Sequence, residues 1–446
     1  MKSFSIIVKK KINKFNKSIF VEGDKSISHR ALLISSQAYG VSKLRGILEA
    51  EDVLNTIKAL RKLGVKIIKY KNIYHIYGNG LGSLKTKNNL TINAGNSGTL
   101  ARLLMGLLTT YPHKIKIIGD KSLSKRPMGR VITPLERFGC SFTKNKKTLP
   151  LYITGTEMPL ATKHEEKIGS AQVKSSIIFA SLNSPGITKI KEFKKSRDHT
   201  ENMLKFARAK IKIKKFKNYN LICIEGQKDF KAFDLNIPGD ISSAAFFIVL
   251  TLLTKDSVIK IKKINLNSTR DGIIKILKKM NAKIKLMNIK TVCGEKVGDI
   301  VVKSSSLKSV KCPVSLVPIL IDEFPILMIA AAKAKGVSNF PNLLELNTKE
   351  SPRLNLMNKI LNQIGVKTKL NKGKIKIFGN PNLNLENKAY KVNSMSDHRI
   401  VMACVSMALT FGGKIKISGC NSIATSFPNF LKIIRHIGGK NIYEIQ

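Results

Sequence analysis

Six short segments, spread at regular intervals over 446 residues, share one form: an apolar helix-like run reaches a single junction residue and passes into a strand-like run. Four carry Gly at the junction, in LRKLGVKI (60–67), LERFGCSF (135–142), LNQIGVKT (361–368) and IRHIGGKN (434–441). LKFARAKI (204–211) and LKKMNAKI (277–284) fit the same frame with Arg208 and Asn281 in the Gly position. Glycine suits a helix C-cap that needs positive φ; Asn tolerates that conformation, and Arg tolerates it poorly. Gly64, Gly139, Arg208, Asn281, Gly365 and Gly438 follow one another at roughly 70 to 84 residues, which predicts a sixfold α/β unit rather than a chance likeness of helix ends.

A second set of helices is more apolar and opens on small or charged groups. It comprises NSGTLARLLMGLL (96–108), GSAQVKSSIIFASL (169–182), GDISSAAFFIVLTLL (239–253), IDEFPILMIAAAKA (321–334) and SDHRIVMACVSMAL (396–409), with ALLISSQAYG after residue 30 as the sixth. Helices that are hydrophobic nearly all round are buried. Runs such as KIKIIG and KIKIFG alternate Lys with Ile, the pattern of strands wet on one face. The expected class is α/β, with buried helices wrapped by sheets in two similar halves.

Six polar helix starts, one per repeat, could aim positive dipole ends at a shared anionic site. VEGDKSISHR (21–30) is the densest. A P-loop would need Gly immediately before Lys25, where the chain has Asp24, and SISHR offers no G-x-S-x-G frame for a nucleophile elbow. Taken alone, a well-capped surface helix would look the same. In DKSLSKRPMGR (120–130), Arg126 and Arg130 flank a rigid loop suited to phosphate, or to solvent. SRDHTE (196–201) and SDHR (396–399) group Arg, Asp and His, as local capping networks also do. KESPR (349–353) sets Lys349, Glu350 and Arg353 before a helix, and IDEFP (321–325) places Asp322 and Glu323 where N-capping is the simple explanation. Together the clusters describe a site for several anions that nonetheless keeps carboxylates, and carboxylates kept beside anionic ligands suggest proton transfer.

The formal charge of +51 suggests a polyanion partner at first sight. The lysines, however, are dispersed among Ile and Asn rather than gathered on one face, a pattern that biased genome composition explains. Aromatic residues are 6% of the chain, which leaves little for base stacking, so no specific nucleic-acid partner is expected. No apolar run reaches the roughly 18 residues of a membrane helix, the longest candidate being IVMACVSMALTFGG (400–413). The lysine-rich start is the reverse of a secretory signal, so the expected location is cytoplasmic, without a membrane. Six cysteines show no C-x-x-C pair and no His at ligand spacing; they are expected to be buried thiols.

GDKSISHR, GNSGTLAR, KRPMGR, GSAQVKS, SRDHTE, PGDISSAAFF, IDEFP, KESPR and DHR, in this order and over almost the full length, resemble the EPSP synthase (3-phosphoshikimate 1-carboxyvinyltransferase) branch of the enolpyruvyl transferase family. The resemblance implies transfer of the enolpyruvyl group of phosphoenolpyruvate to the 5-hydroxyl of shikimate 3-phosphate, with release of phosphate, in the shikimate pathway. It implies no cofactor and no metal. The implied fold has two domains of three βαβαββ units each, an inside-out α/β barrel arrangement, that close over the substrates. One domain would span 20–238, the other 1–19 plus 239–446, with the active site in the cleft between them. A monomer is expected.

Carried over by motif, Lys25, Gly98, Arg126, Gln172, Arg353 and Arg399 match phosphoenolpyruvate-binding positions. Lys25, Ser26, Arg30, Ser170, Ala171, Gln172, Arg197, Asp322 and Lys349 match the shikimate 3-phosphate side. Asp322 would accept the 5-hydroxyl proton, and Glu350, with Lys25, would protonate the methylene carbon of phosphoenolpyruvate. Gly98 would lie against phosphoenolpyruvate, for which glycine has two reasons: a backbone conformation other residues avoid, or close ligand approach. Ala171 and SRDHT depart from some members and agree with the S-A-Q-V-K subgroup, while Thr425 stands where some members place a phosphate-side Lys. The sister enzyme acting on UDP-N-acetylglucosamine usually carries a reactive Cys where this chain has LSKRPMGR, which argues against that substrate.

Overall fold

In a computed structural model that describes residues 4–143, 147–439 and 441–446, the six junctions close six copies of one α/β unit. The chain divides into two compact units. One takes the described residues of Met1–Glu22, Pro238–Lys290 and Lys296–Gln446; the other takes those of Gly23–Ile237 and Thr291–Glu295. Each has its own apolar core.

The repeat is plainest in the second unit, where strand Leu90–Asn93 leads through helix Gly98–Leu108 to strand Lys114–Ile118, then through helix Gly129–Glu136 to strands Ser141–Phe142 and Leu151–Thr154. The first two strands pair in parallel (Leu90 with Ile115), and the last runs antiparallel between the second and third. Strands Lys163–Glu166, Ile187–Glu192, Ile211–Lys215 and Asn220–Glu225 repeat that order around helices Ala171–Leu182 and His199–Phe206. In the remaining copy, Asp234–Asn236 supplies the parallel partner of Tyr39–Arg45, so chain from the far end of the unit completes the sheet beside helix Lys25–Gln37.

The first unit closes in the same manner. Asn16–Phe20 pairs in parallel with Val258–Asn265, and Ile6–Val8 lies antiparallel between Lys414–Ser418 and Tyr443–Ile445. In the middle copy the sheet has three strands, and bridges at Lys308 and Lys311 mark the place of the fourth.

Two kinds of helix separate cleanly. Ile241–Leu253 is apolar all round and buried at every position through Leu252, while Gly272–Lys279 buries Ile273, Ile274, Ile276 and Leu277 and turns its lysines outward. Each side chain fully removed from water contributes about 1.5–3 kcal/mol of transfer free energy, so the inner helices dominate cohesion in each unit. The run at 400–413 is one of them, buried as helix His398–Phe411. Among the described residues no single helix is long and apolar enough to cross a membrane.

Positive φ appears at Gly64, Gly139, Arg208 (64°), Asn281 (70°) and Gly365. The sixth junction is shifted by one residue. Gly438 is the last helical residue and Gly439 takes the positive φ, because the last turn of Phe430–Gly438 is longer by one position. The cysteines also differ in part from expectation: Cys140, Cys312, Cys404 and Cys420 are buried, but Cys223 and Cys293 are half-buried because they lie on or beside sheet surfaces.

Candidate active site

The polar residues that precede each buried helix are its caps. Asp24, Ser97 and Ser170 accept the backbone N–H of Ile27, Leu100 and Val173 in the second unit, and Asp240 and Asp397 accept those of Ser242 and Arg399 in the first. Four of these helices therefore start two residues later than the apolar pattern indicates, at Gly98, Ala171, Ile241 and His398, whereas the first starts at Lys25, six residues before the apolar run ALLISSQAYG. The sixth does not follow the rule. Glu323 precedes helix Phe324–Ala332 without a side-chain cap bond, so capping does not explain IDEFP.

In the second unit the three helix starts are laced together. His29 Nε2 lies 3.5 Å from Ser97 Oγ, Gln172 Nε2 donates to Thr99 Oγ1 at 3.0 Å, and Arg30 donates from Nε to Thr200 Oγ1 at 2.8 Å and from Nη2 to Ser175 Oγ at 3.0 Å. Arg30 is 2% exposed, so its charge is delivered to this junction rather than to bulk water. Its Nη1 donates to the carbonyl of Ser26, whose hydroxyl accepts from Arg197 at 3.4 Å. Lys25, the first residue of its helix, reaches Asp52 at 3.0 Å. Burial, with Lys25 and Arg30 adding to it, holds the His29 imidazole well below its usual pKa, so it stays neutral among cations.

Gly98, Arg126 and Gln172 form a second group in that unit. Arg126 is buried and donates to Asn96 Oδ1 at 3.0 Å, whereas Arg130 is exposed, so the two arginines of the KRPMGR loop do not act as a pair. Arg102 donates to Gln172 Oε1 at 2.7 Å and to the carbonyl of Pro127 at 3.2 Å. Gly98 has no left-handed φ, and a Cβ built on it would stand 3.0 Å from Arg102 Nη1 and 3.1 Å from Arg126 Nη1. The backbone reason for this glycine is thereby removed. Room for two guanidinium groups is what it provides. Ser170 and Ala171 sit at the cap and first residue of their helix.

In the first unit, four of the five predicted residues meet around one guanidinium. Arg353, 1% exposed, donates to Glu350 at 2.5 Å, to Asp397 at 2.8 Å and 3.2 Å, and lies 3.7 Å from Asp322. Burial opposes its charge, but Asp397, Glu350 and Asp322 together outweigh that and raise its pKa further. Arg399 donates to the Asp322 carbonyl at 2.9 Å and lies 3.9 Å from its carboxylate. Glu323 accepts from Ser242, and Arg270 ties Ser242 to Asp240 at 2.7 Å and 3.0 Å, which links the start of Ile241–Leu253 to the same group. Lys349 is the residue left outside: its ammonium pairs with Glu345 at 3.1 Å in its own turn. Thr425 donates to the carbonyl of Ser422 within a 3-10 turn.

In the second unit helix starts, Lys25 and arginines lie close together, and in the first unit two carboxylates, Asp322 and Glu350, are kept beside Arg353, with Arg399 facing Asp322. Sequence reasoning missed Asp52, Arg102, Thr200 and Asp397. Of these, Arg102 was within reach, since it lies one helical turn after Gly98 on the same face. Asp397 reads locally as a cap and gives no sign of its grip on Arg353, 44 residues away. Among the described residues no group of three or more His, Cys, Asp or Glu could hold a metal ion.

Known proteins share this chain's sequence and shape. It is 41% identical to the 3-phosphoshikimate 1-carboxyvinyltransferase of Zymomonas mobilis over 97% of its length and 96% of that protein. To the protein of the same name from Ruthia magnifica it is 40% identical, over 97% of this chain and 98% of that one. A solved EPSP synthase from Acinetobacter baumannii superposes with a TM-score of 0.86 at 35% identity, over 99% of this chain and 100% of the other. Residues 9–434 match the family described as EPSP synthase (3-phosphoshikimate 1-carboxyvinyltransferase), and the chain belongs to that family.

Proposed function

We propose that the chain transfers the enolpyruvyl group of phosphoenolpyruvate to the 5-hydroxyl of shikimate 3-phosphate and releases phosphate. The observation that carries this reading is the pair of carboxylates, Asp322 and Glu350, held around the buried guanidinium of Arg353 beside Arg399. Arginine forks suit phosphate and carboxylate, and carboxylates suit proton transfer. Shikimate 3-phosphate is assigned to Lys25, Ser26, Arg30, Ser170, Ala171, Gln172, Arg197, Asp322 and Lys349, and phosphoenolpyruvate to Lys25, Gly98, Arg126, Gln172, Arg353 and Arg399. The pairing of Lys349 with Glu345 means that its part requires the side chain to turn.

In the forward direction the 5-hydroxyl oxygen adds to C2 of phosphoenolpyruvate and its proton passes to Asp322. Glu350, with Lys25, delivers a proton to C3, which becomes the methyl group of a tetrahedral intermediate. Return of that methyl proton to Glu350 regenerates the vinyl ether as phosphate leaves. Arg353 stabilises both carboxylates through this exchange, and Asp397 keeps Arg353 in place.

The enzyme is further proposed to act as a cytoplasmic monomer without a cofactor. A coupled assay of phosphate release tests the reaction: release requires both substrates and survives EDTA. Release supported by UDP-N-acetylglucosamine in place of shikimate 3-phosphate overturns the substrate assignment.

A further inference from the structure

Strands Lys163–Glu166 and Ile187–Glu192 run parallel, and their last residues, Glu166 and Glu192, are register partners. Each strand feeds a short loop that leads to residues assigned above to shikimate 3-phosphate: Ser170, with Ala171 and Gln172 opening the helix behind it, after the first, and Arg197 after the second. Both glutamates are buried, at 4% and 3% exposure, and both turn onto the loop that follows them. Glu166 Oε1 accepts the backbone N–H of Ile168 at 2.9 Å, Gly169 at 3.0 Å and Ser170 at 3.4 Å. Glu192 Oε1 accepts the N–H and the hydroxyl of Ser196 at 3.0 Å and 2.8 Å, and its Oε2 accepts from Asn220 at 3.2 Å.

Lys174 joins the two loops. It lies one turn into helix Ala171–Leu182 with no exposure, and its ammonium is 2.7 Å from Glu192 and 2.7 Å from Glu201, which belongs to helix His199–Phe206. A buried lysine, here the one charged residue of its helix, costs several kcal/mol unless it is paired, and two carboxylates from two different elements pair it. Burial works against both strand-end carboxyls, yet the groups around them, Lys174 for Glu192 and His164 with three backbone N–H groups for Glu166, hold each below the usual range.

We infer that Glu166, Glu192 and Lys174 are positioning residues that fix the loops presenting Ser170, Gln172 and Arg197 to shikimate 3-phosphate. None need touch the substrate. The inference rests on the functional reading above and adds to it where the rigidity of that half-site comes from. A charge-paired buried lysine sets the separation of the two loops, and each glutamate sets the conformation of one.

The test uses the full chain and reads shikimate 3-phosphate binding by titration calorimetry without phosphoenolpyruvate, KM for each substrate, and Tm. Glu192→Gln keeps an oxygen for Ser196 but loses the charge facing Lys174; it is expected to weaken shikimate 3-phosphate binding roughly 10-fold or more, the scale on which a displaced binding group costs affinity and rate. KM for phosphoenolpyruvate should stay near the wild-type value. Glu192→Ala should weaken binding further than Glu192→Gln. Should either fail to fold, Glu166→Gln tests the other loop with the same expectation for shikimate 3-phosphate. Ile115→Ala, a core truncation on another strand of the same unit, should lower Tm without shifting the dissociation constant. Glutamate variants that lower Tm alone, and bind shikimate 3-phosphate as tightly as the wild type, overturn the inference and leave the functional reading intact. A wild-type chain that shows no binding heat for shikimate 3-phosphate sinks the functional reading first, and the inference with it.

Discussion

Gly98→Ala adds one methyl group where the structure leaves room for none that is free. Its Cβ would meet Arg102 Nη1 at 3.0 Å and Arg126 Nη1 at 3.1 Å, so each guanidinium must give way by a few tenths of an ångström. Neither contact is to backbone. The φ of Gly98 is ordinary and the residue opens a helix, where Ala is favoured over Gly by about 1 kcal/mol at most, so folding should be unharmed or slightly improved. The displaced groups are Arg126, assigned to phosphoenolpyruvate, and Arg102, whose Nη1 holds Gln172 Oε1 at 2.7 Å. Complete loss of a buried charged contact costs on the order of 2 to 5 kcal/mol, and displacement of one nitrogen should cost a fraction of that, about 1 kcal/mol, or roughly a fivefold rise in KM. Gln172 is assigned to both substrates, so shikimate 3-phosphate binding should weaken too, but by less. Steady-state kinetics with both substrates, paired with a melting curve, measure this directly. Equal loss for both substrates together with a lower Tm would falsify the account, because it would place the need for glycine in the backbone.

Asp322→Asn and Glu350→Gln should each slow turnover by roughly 10²- to 10⁴-fold, the usual size of a lost general acid or base, with Tm little changed; near-normal kcat in either removes that residue from its role. Arg208 is exposed and held at φ 64°, so Arg208→Gly should raise stability by about 1 kcal/mol, read as a higher urea midpoint, and a lower midpoint contradicts the strain assigned there. The Glu166 carboxyl lies below its ordinary value of 4.5 in the folded chain, so its contribution to stability is present above that pH and is lost as pH falls through the folded value. The stability gap between wild type and Glu166→Gln should therefore narrow on acidification below about 4.5. A gap that widens there refutes the sign.

The repeat was legible because its signal is local. A helix end that needs positive φ favours Gly within one position, and an apolar helix or a Lys–Ile strand declares its burial by period alone. The one-residue error at Gly438 has the same origin: IRHIGGKN offers two glycines in succession, and only the length of the last turn decides between them. Cap residues were legible for a related reason. Asp24, Ser97, Ser170, Asp240 and Asp397 act within three residues of themselves, so the pattern holds the partner as well as the group.

The rest of the site was hidden because its partners are distant in sequence, and because one side chain can satisfy a local rule and a remote one together. Asp397 caps Arg399 and also clamps Arg353; the first role is visible and masks the second. Glu323 shows the reverse case, since the local rule predicted a cap and the carboxylate is spent on Ser242 instead. Lys174 did leave a trace. A charge in the middle of a helix otherwise fit for burial must either reach the surface or meet opposite charge, and SAQVKSSIIFASL gives it no surface to reach. That argument predicts a buried carboxylate without saying which, and the fold supplies two, Glu192 at 18 residues and Glu201 at 27. A sequence thus tells where a charge must be neutralised before it tells by whom, and here one of the two neutralising groups, Glu192, also bonds Ser196 in the loop inferred to present Arg197 to shikimate 3-phosphate.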